Sequence, residues 1–220
     1  VAKALEVILG ELNRMKTELV PMDELKRARE YYRGQLLFAL EDTMSHMFIP
    51  GPVDVSEEVM QAMTQPMIPH RSKEFDELFR RTAEGMQKVF LTQNRVFQPP
   101  ASGSGMQEAA MRNLVAQDVL VLVNGAFADR WYKVGVANGK SVDRLDVPWG
   151  EAHTPEMLRD ALKAKHYEAV AIVHNETSTV VENPLKELAA VIHETSPDTL
   201  IMVDAVSSLG GVKIEIDAWG

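Results

Sequence analysis

The sequence predicts an α/β fold, in which a mainly parallel β-sheet carries helices between its strands and is preceded by a pair of α-helices. Two observations predict it. Residues 2–47 repeat apolar side chains at helical spacing. From residue 48 onward, helical segments alternate with short apolar runs, a pattern typical of strand–helix–strand units in a parallel sheet. We therefore expect a helical segment over 1–47 and an α/β segment over 48–220.

The helical segment contains two amphipathic helices joined by a turn at "VPMDEL". The apolar stripe of the second helix consists of Leu25, Ala28, Tyr32, Leu36, Leu40, Met44 and Met47. The stretch "ILGELNRMKTELVPMDELKRAREYYRGQLLFALEDTMSHM" resembles a C-terminal-domain segment of pitrilysin-type zinc metallopeptidases. None of the six histidines lies in the inverted His-x-x-Glu-His pair that holds the metal in that family. We expect this segment to be non-catalytic and the chain to hold no metal.

The α/β segment opens at Pro50-Gly51-Pro52, which predicts a rigid turn, and Ser56 then caps a helix. The later predicted helices span about 72–90, a segment beginning near Met106, 125–138, 154–165 and 184–194. The predicted strands are 119–123, 142–147, 169–174 and 199–204, with an extended piece at about 95–100. This alternation supports the parallel sheet.

Composition excludes several classes of function. The formal net charge of −9 over 220 residues argues against binding to nucleic acid or to an anionic membrane. No apolar run is long enough to span a membrane. The absence of cysteine excludes disulfides, thiolate zinc sites and cysteine nucleophiles, and it favours a cytoplasmic location. Because the chain starts on Val rather than Met, we expect it to be a piece of a longer protein or a processed chain.

Ligands of such sheets collect beyond the carboxyl ends of the strands, and the stretch "SGSG" precedes a predicted helix there. Backbone N–H groups at a helix start, beside the hydroxyl groups of Ser102 and Ser104, can bind a phosphate. The stretch is neither a dinucleotide fingerprint nor a P-loop. The alternative is a flexible loop with a serine cap.

Three further stretches fall at strand ends. Phe127 could stack on a planar ligand, or it could be a core aromatic. The polar run 174–179 follows a buried strand, although a capped turn could explain its last three residues and His174 could be structural. Asp204 ends an apolar strand, where a buried carboxylate needs a cation, or it could simply cap a helix. A phosphorylated pyridine ring satisfies all four stretches, since a carboxylate favours the protonated ring nitrogen.

Six stretches in order resemble class V, fold-type I aminotransferases that use pyridoxal 5′-phosphate, and in particular the alanine/serine–glyoxylate branch. These stretches are "IPGPVDVSEEV", "MIPHRSKEF", "SGSGMQEAAMRNLV", "NGAFADRW", "HNETST" and "VDAVSSLGG". The resemblance implies that residues 48–220 are the N-terminal, incomplete part of the large domain. It also implies a transaminase that passes an amino group from alanine or serine to glyoxylate or another small 2-oxo acid.

The resemblance assigns roles to individual residues. Ser102, Gly103 and Ser104 would bind the phosphate of the cofactor. Around the ring, Phe127 would stack on one face, Val206 would pack on the other, and Asp204, the catalytic carboxylate, would pair with the ring nitrogen. The remaining two assignments are Thr177, on the phenolic side of the ring, and Gly51, in the turn beside the substrate carboxylate.

The sequence also departs from the family pattern. Val180 replaces the glycine of "ETSTGV", and a β-branched residue there would be strained if the position needs a positive φ. The chain ends at "IDAWG", before the Schiff-base lysine of the family, so we expect it to be inactive as given and to bind the cofactor weakly. We expect a homodimer for the full-length family. The alternative function is a non-catalytic fusion or scaffold fragment that contains the metallopeptidase-like piece.

Overall fold

The computed structural model describes residues 53–220 and four residues before them, namely Met22, Lys26, Arg27 and Arg29. The chain divides into two compact units, Val1–Gln65 and Pro66–Gly220. In the first unit, the four isolated residues are helical and helix α1 spans Glu57–Met63. The rest of the predicted helix pair, the predicted boundary near residue 47 and Gly51 lie outside the described residues.

The second unit alternates helices and strands as the sequence predicts. Its helices are α2 (Lys73–Phe90), α3 (Gly103–Leu114), α4 (Ala126–Ala137), α5 (Pro155–Ala164), α6 (Leu185–Thr195) and α7 (Ile216–Trp219). Its strands are β1 (Asp118–Val123), β2 (Ser141–Asp146), β3 (Ala169–Val173), β4 (Asn175–Glu176), β5 (Val181–Glu182) and β6 (Leu200–Asp204). The α/β prediction is confirmed.

Four strands form one parallel sheet in the order β2-β1-β3-β6. The register places Val173 opposite Asp204, so β3 and β6 reach the same edge of the sheet at their carboxyl ends. Strands β4 and β5 form a separate antiparallel pair directly after β3. The chain segments that follow β3 and β6 therefore start side by side, which brings the polar run 174–179 close to the residues after Asp204.

Two apolar layers cover the two faces of the sheet. Alternate residues of a strand point to opposite faces, and the strand β1 follows this rule. Leu120 and Leu122 pack with the helices α5 and α6, whereas Val119 and Val121 pack with Met111 of α3 and with α4. Every residue of β3 is buried, as expected for a central strand with helices on both faces.

Serine or threonine side chains cap α2, α3 and α5, whereas Ser56, at the start of α1, forms no side-chain cap hydrogen bond. The Ser72 and Thr154 side chains accept the backbone N–H groups of Phe75 and Met157, respectively. Helix α3 begins at Gly103, slightly before the predicted start near Met106, because Ser102 caps it in the same way.

The apolar strand that ends at Asp204 is only partly buried in the described part of the chain. Within the described residues β6 pairs only with β3, so it lies at an edge of the sheet. Leu200 and Val203 are consequently 48% and 39% exposed, and Asp204 is half-buried. Among the described helices, none combines the length and the apolar character that a membrane-crossing segment needs.

Candidate active site

Helix α3 offers free hydrogen-bond donors at its start. The hydroxyl oxygen of Ser102 accepts the backbone N–H of Gly105 at 3.2 Å. Within residues 53–220, no acceptor takes the backbone N–H groups of Gly103 and Ser104. The first N–H groups of a helix have no partner inside the helix, and they favour an anion. The start of α3 therefore presents free donors at the turn for which the sequence predicts phosphate binding, and that role stays a prediction.

Asp204 is held by two neutral donors. Its Oδ2 accepts a hydrogen bond from Nε2 of Gln107 at 2.8 Å, and its Oδ1 accepts from the backbone N–H of Val206 at 3.1 Å. No lysine, arginine or histidine of the described part of the chain forms an ion pair with this carboxylate. The charge of Asp204 is therefore oriented but not neutralised.

The start of α3 and the end of β6 line one groove. A Cβ atom added to Gly103 would lie 3.6 Å from Cγ2 of Val206. Gly103, Gln107, Asp204 and Val206 all line the groove, together with apolar side chains of α3 and β6. Val206 itself is 78% exposed. The structure thus brings together the predicted phosphate-binding turn, the predicted carboxylate and the predicted apolar ring contact.

Phe127 lies in the first turn of α4 and is linked to the same turn of α3. The guanidinium of Arg130 lies 5.0 Å from the centre of the Phe127 ring. Its Nη1 donates to the hydroxyl oxygen of Ser104 at 3.1 Å. Arg130 therefore connects the predicted stacking aromatic to the predicted phosphate-binding turn.

Thr177 contacts the loop that follows Asp204. Its hydroxyl donates to Oγ of Ser207 at 2.8 Å, and Ser207 donates in turn to the carbonyl oxygen of Asn175 at 3.0 Å. The amide of Asn175 also donates to Oγ of Ser207 at 2.8 Å. Through this network, Thr177 is fixed against the chain segment that carries Asp204 and Val206.

The polar run after β3 contains residues that act structurally. His174 is buried, and its Nδ1 lies 2.9 Å from Oγ of Ser208. Burial lowers the pKa of His174, opposed by the nearby Glu182 carboxylate. Glu176 is fully buried and accepts the backbone N–H groups of Phe127 and Ala128. The structural interpretation of His174 agrees with these contacts.

Val180 has a φ of 57°, in the left-handed region. This position therefore does need a positive φ, and the β-branched side chain there is strained, because its Cβ approaches the following carbonyl oxygen. The side chain is 85% exposed, so packing gives little compensation. The strain expected from the sequence is present.

Three residues that help to build this site are not singled out by the sequence. They are Gln107, Arg130 and Glu176. Gln107 and Arg130 look like ordinary polar positions of amphipathic helices. Glu176 stands in a polar run that the sequence does mark, but its partners lie 48 and 49 residues away along the chain. In the sequence, helical spacing indicates only that Gln107 and Arg130 lie on helices, and the polar run indicates only the neighbourhood of Glu176.

Comparison with known proteins assigns the fold. The profile of the family described as Aminotransferase class-V matches residues 55–220. An alanine–glyoxylate aminotransferase from Nostoc sp., known from its crystal structure, is 35% identical with a TM-score of 0.74, over 78% of this chain and 46% of that chain. The four-stranded parallel sheet matches part of the large domain of fold-type I aminotransferases.

Curated relatives of the chain also include aminotransferases. An uncharacterized aminotransferase from Methanocaldococcus jannaschii is 40% identical over 174 residues, which are 78% of this chain and 45% of that protein. A serine–glyoxylate aminotransferase from Methylorubrum extorquens is 35% identical over 181 residues, 80% of this chain and 45% of that protein. The chain spans about half the length of the curated relatives it matches. On this evidence the chain belongs to the class-V aminotransferase family.

Proposed function

We propose that residues 53–220 carry the cofactor-binding part of a transaminase that uses pyridoxal 5′-phosphate. The observation that carries the proposal is the shared groove, which is lined by Gly103 at the uncapped start of α3, by Asp204 and by Val206. A phosphorylated pyridine needs an anion site and a carboxylate at the two ends of one pocket.

The residues at the start of α3 fit the phosphate of the cofactor. Two backbone N–H groups, from Gly103 and Ser104, have no acceptor in the described part of the chain. The hydroxyl groups of Ser102 and Ser104 lie beside them, and Gly103 brings the backbone close to Val206 without a side chain in between. These groups would hold the phosphate with directed donors and with the positive end of the helix dipole.

The residues around Asp204 fit the ring. Val206 is an exposed apolar side chain that would pack on one face, and Phe127 would contact the other. Thr177, fixed by Ser207, would lie on the phenolic side. When bound, the cofactor supplies an electron sink for the amino-acid α-carbon. The part of Asp204 in this chemistry is to keep the ring nitrogen protonated.

None of the lysines of residues 53–220 lines the groove that contains Asp204. Lys133 and Lys213 pair with acidic residues on their own segments, and Lys165 bridges Asp118 and Asp143 at the opposite end of the sheet. We therefore expect the 220-residue chain to bind the cofactor without a covalent bond, and to be inactive or nearly so by itself.

Glyoxylate is our proposed amino acceptor. The names of the relatives from Methylorubrum extorquens and Nostoc sp. give serine and alanine, respectively, as donor and glyoxylate as acceptor. For this chain we propose the same reaction class, with alanine or serine passing its amino group to glyoxylate or another small 2-oxo acid. Gly51 would border the substrate carboxylate.

Binding of pyridoxal 5′-phosphate to the 220-residue chain tests the proposal by absorbance titration. We expect Asp204→Asn to weaken binding about tenfold or more, because the carboxylate loses its charge. The exposed Asp198→Asn is the matched control and should bind like the wild type. A wild type that does not bind, or an Asp204→Asn variant that binds equally well, contradicts the proposal. Borohydride reduction followed by peptide mapping tests the expectation that the cofactor binds without a covalent bond. A single defined lysine adduct would contradict it.

A further inference from the structure

We infer that Gln107 is a positioning residue, which orients the carboxylate of Asp204 toward a cationic ring without neutralising its charge. The inference rests on the proposed function and goes beyond it, because it assigns a role to a residue that does not belong to the phosphate-binding turn. It starts from one contact, in which Nε2 of Gln107 lies 2.8 Å from Oδ2 of Asp204.

Gln107 is buried at a cost. Only 4% of the residue is exposed, and its Oε1 is a buried acceptor for which no donor exists in the described part of the chain. An unpaired buried acceptor is unfavourable, so an apolar side chain of similar length would suit the packing better. Retention of the amide therefore calls for a reason other than stability, and the reason visible in the structure is the hydrogen bond to Asp204.

The chemistry of the amide suits this task. A lysine or arginine in place of Gln107 would pair with Asp204 and compensate its charge, which would then favour the protonated ring nitrogen less. An amide donates one directed hydrogen bond and carries no charge. With the backbone N–H of Val206 on Oδ1, both carboxylate oxygens are held, and the negative charge remains available to a cation.

Gln107 also connects the two ends of the groove. It lies on α3, whose first turn holds Ser102 and Gly103. The backbone carbonyl oxygen of Gln107 accepts the indole N–H of the buried Trp131 at 3.2 Å, which fixes this part of the helix against α4. Helix α3 therefore carries both the predicted phosphate-binding turn and the amide that holds Asp204.

The test uses the Gln107→Met variant of the 220-residue chain and two probes. Methionine keeps the length of the side chain and removes both the donor and the unpaired acceptor, so we expect the thermal midpoint to stay the same or to rise. The first probe is pyridoxine 5′-phosphate, which has a ring nitrogen but no aldehyde. The second is benzyl phosphate, which has the phosphate and a ring without nitrogen.

We expect Gln107→Met to weaken binding of pyridoxine 5′-phosphate by about tenfold, because the carboxylate of Asp204 is no longer held in one orientation for its charge-assisted bond to the ring nitrogen. Binding of benzyl phosphate should not change. The ultraviolet spectrum of bound pyridoxine 5′-phosphate should also shift toward the form with an unprotonated ring nitrogen.

Equal affinity of the variant and the wild type for both probes overturns the inference. So does an equal loss for both probes, because that result indicates a general structural role for Gln107. If the wild type binds neither probe, the proposed function itself fails and this inference fails with it. If the wild type binds pyridoxine 5′-phosphate and Gln107→Met leaves that binding intact, only the inference fails.

Discussion

Glu176 caps the helix that carries Phe127, and its Oε2 lies 3.1 Å from the backbone nitrogen of Phe127. The same oxygen accepts the N–H of Ala128 at 3.0 Å, and Oε1 accepts the backbone N–H and the hydroxyl of Ser178. The carboxylate is fully buried and lies at the positive end of the α4 dipole. In the described part of the chain, backbone N–H groups and the Ser178 hydroxyl, rather than a cation, therefore satisfy this carboxylate, and the bond to Phe127 fixes the position of that residue.

We expect Glu176→Ala to lower the free energy of unfolding by about 3 kcal/mol, because it leaves several buried or half-buried donors without this acceptor. Glu176→Gln should cost less, since one amide oxygen can still accept. Urea unfolding followed by circular dichroism measures both. The matched control is Glu156→Ala, an exposed acidic residue in the first turn of α5, for which we expect a loss of about 0.5 kcal/mol. Equal losses at the two positions would contradict the capping role.

Val180→Gly should stabilise the chain. Glycine removes the Cβ that strains the left-handed conformation at φ 57°, worth roughly 1–2 kcal/mol, and its extra entropy in the unfolded chain offsets about half of this gain. We expect a net increase of about 0.5–1 kcal/mol in the free energy of unfolding. Val181→Gly, the neighbouring position in β5, should instead destabilise by about 1 kcal/mol. A loss of stability in Val180→Gly would show that the valine contributes more than its strain.

The sequence predicts the sheet and the placement of Asp204 because both depend on local patterns. Short apolar runs between helical segments indicate parallel strands, and a carboxylate directly after such a run must lie at the carboxyl edge. The order of the strands depends instead on crossovers, which no local pattern encodes. For this reason the edge position of β6, and the exposure of Leu200 and Val203, appear only in the structure.

Contacts between distant segments limit the prediction of the site in the same way. Gln107 and Asp204 lie 97 residues apart in the chain, and Ser104 and Arg130 lie 26 apart. Each of these residues is of a type that is common at exposed helix positions or in turns. Periodicity therefore does not reveal its partner. A strained residue such as Val180 is different, because its deviation from the family pattern is visible in the sequence and the structure adds only its φ.

The buried histidines should make the fold sensitive to acid. Burial lowers the pKa of His153 below its usual 6.5, opposed by the carbonyl oxygens of Leu145 and Asn183, and burial also lowers the pKa of His174. As the pH falls below about 6.5, the unfolded chain binds protons that the folded chain does not, so the free energy of unfolding decreases. This stabilisation is fully present above about pH 7 and is lost progressively below it.

Urea unfolding at about pH 7.5, 6.5 and 5.5 measures the slope of the free energy of unfolding against pH. This slope can reach about 1.4 kcal/mol per pH unit for one histidine. His153→Gln should flatten it. Leu188→Ala, in the apolar layer formed by the sheet with α5 and α6, removes no titrating group, so it should lower the free energy of unfolding at every pH and keep the slope. A His153→Gln slope as steep as that of the wild type would contradict the assignment to His153.

Arg130 should strengthen phosphate binding through charge. Its guanidinium is exposed, donates to Ser104 at the start of α3, and forms no ion pair with a carboxylate in the described part of the chain. A cation near the positive end of a helix is unfavourable unless an anion lies between them. We expect Arg130→Gln to weaken binding of pyridoxine 5′-phosphate about fivefold at low ionic strength, and less at high salt because exposed charges are screened.

The matched control for Arg130 is Arg112→Gln, which removes the same charge from an exposed position of α3, where Arg112 pairs with Glu108. Both variants change the net charge of the chain equally, so a general electrostatic effect would weaken binding equally in both. A loss confined to Arg130→Gln, together with a weaker dependence of the affinity on salt, would show a local contact with the phosphate. Isothermal titration of both variants at two salt concentrations separates these outcomes, and equal losses would assign the effect to net charge rather than to the position of Arg130 beside Ser104.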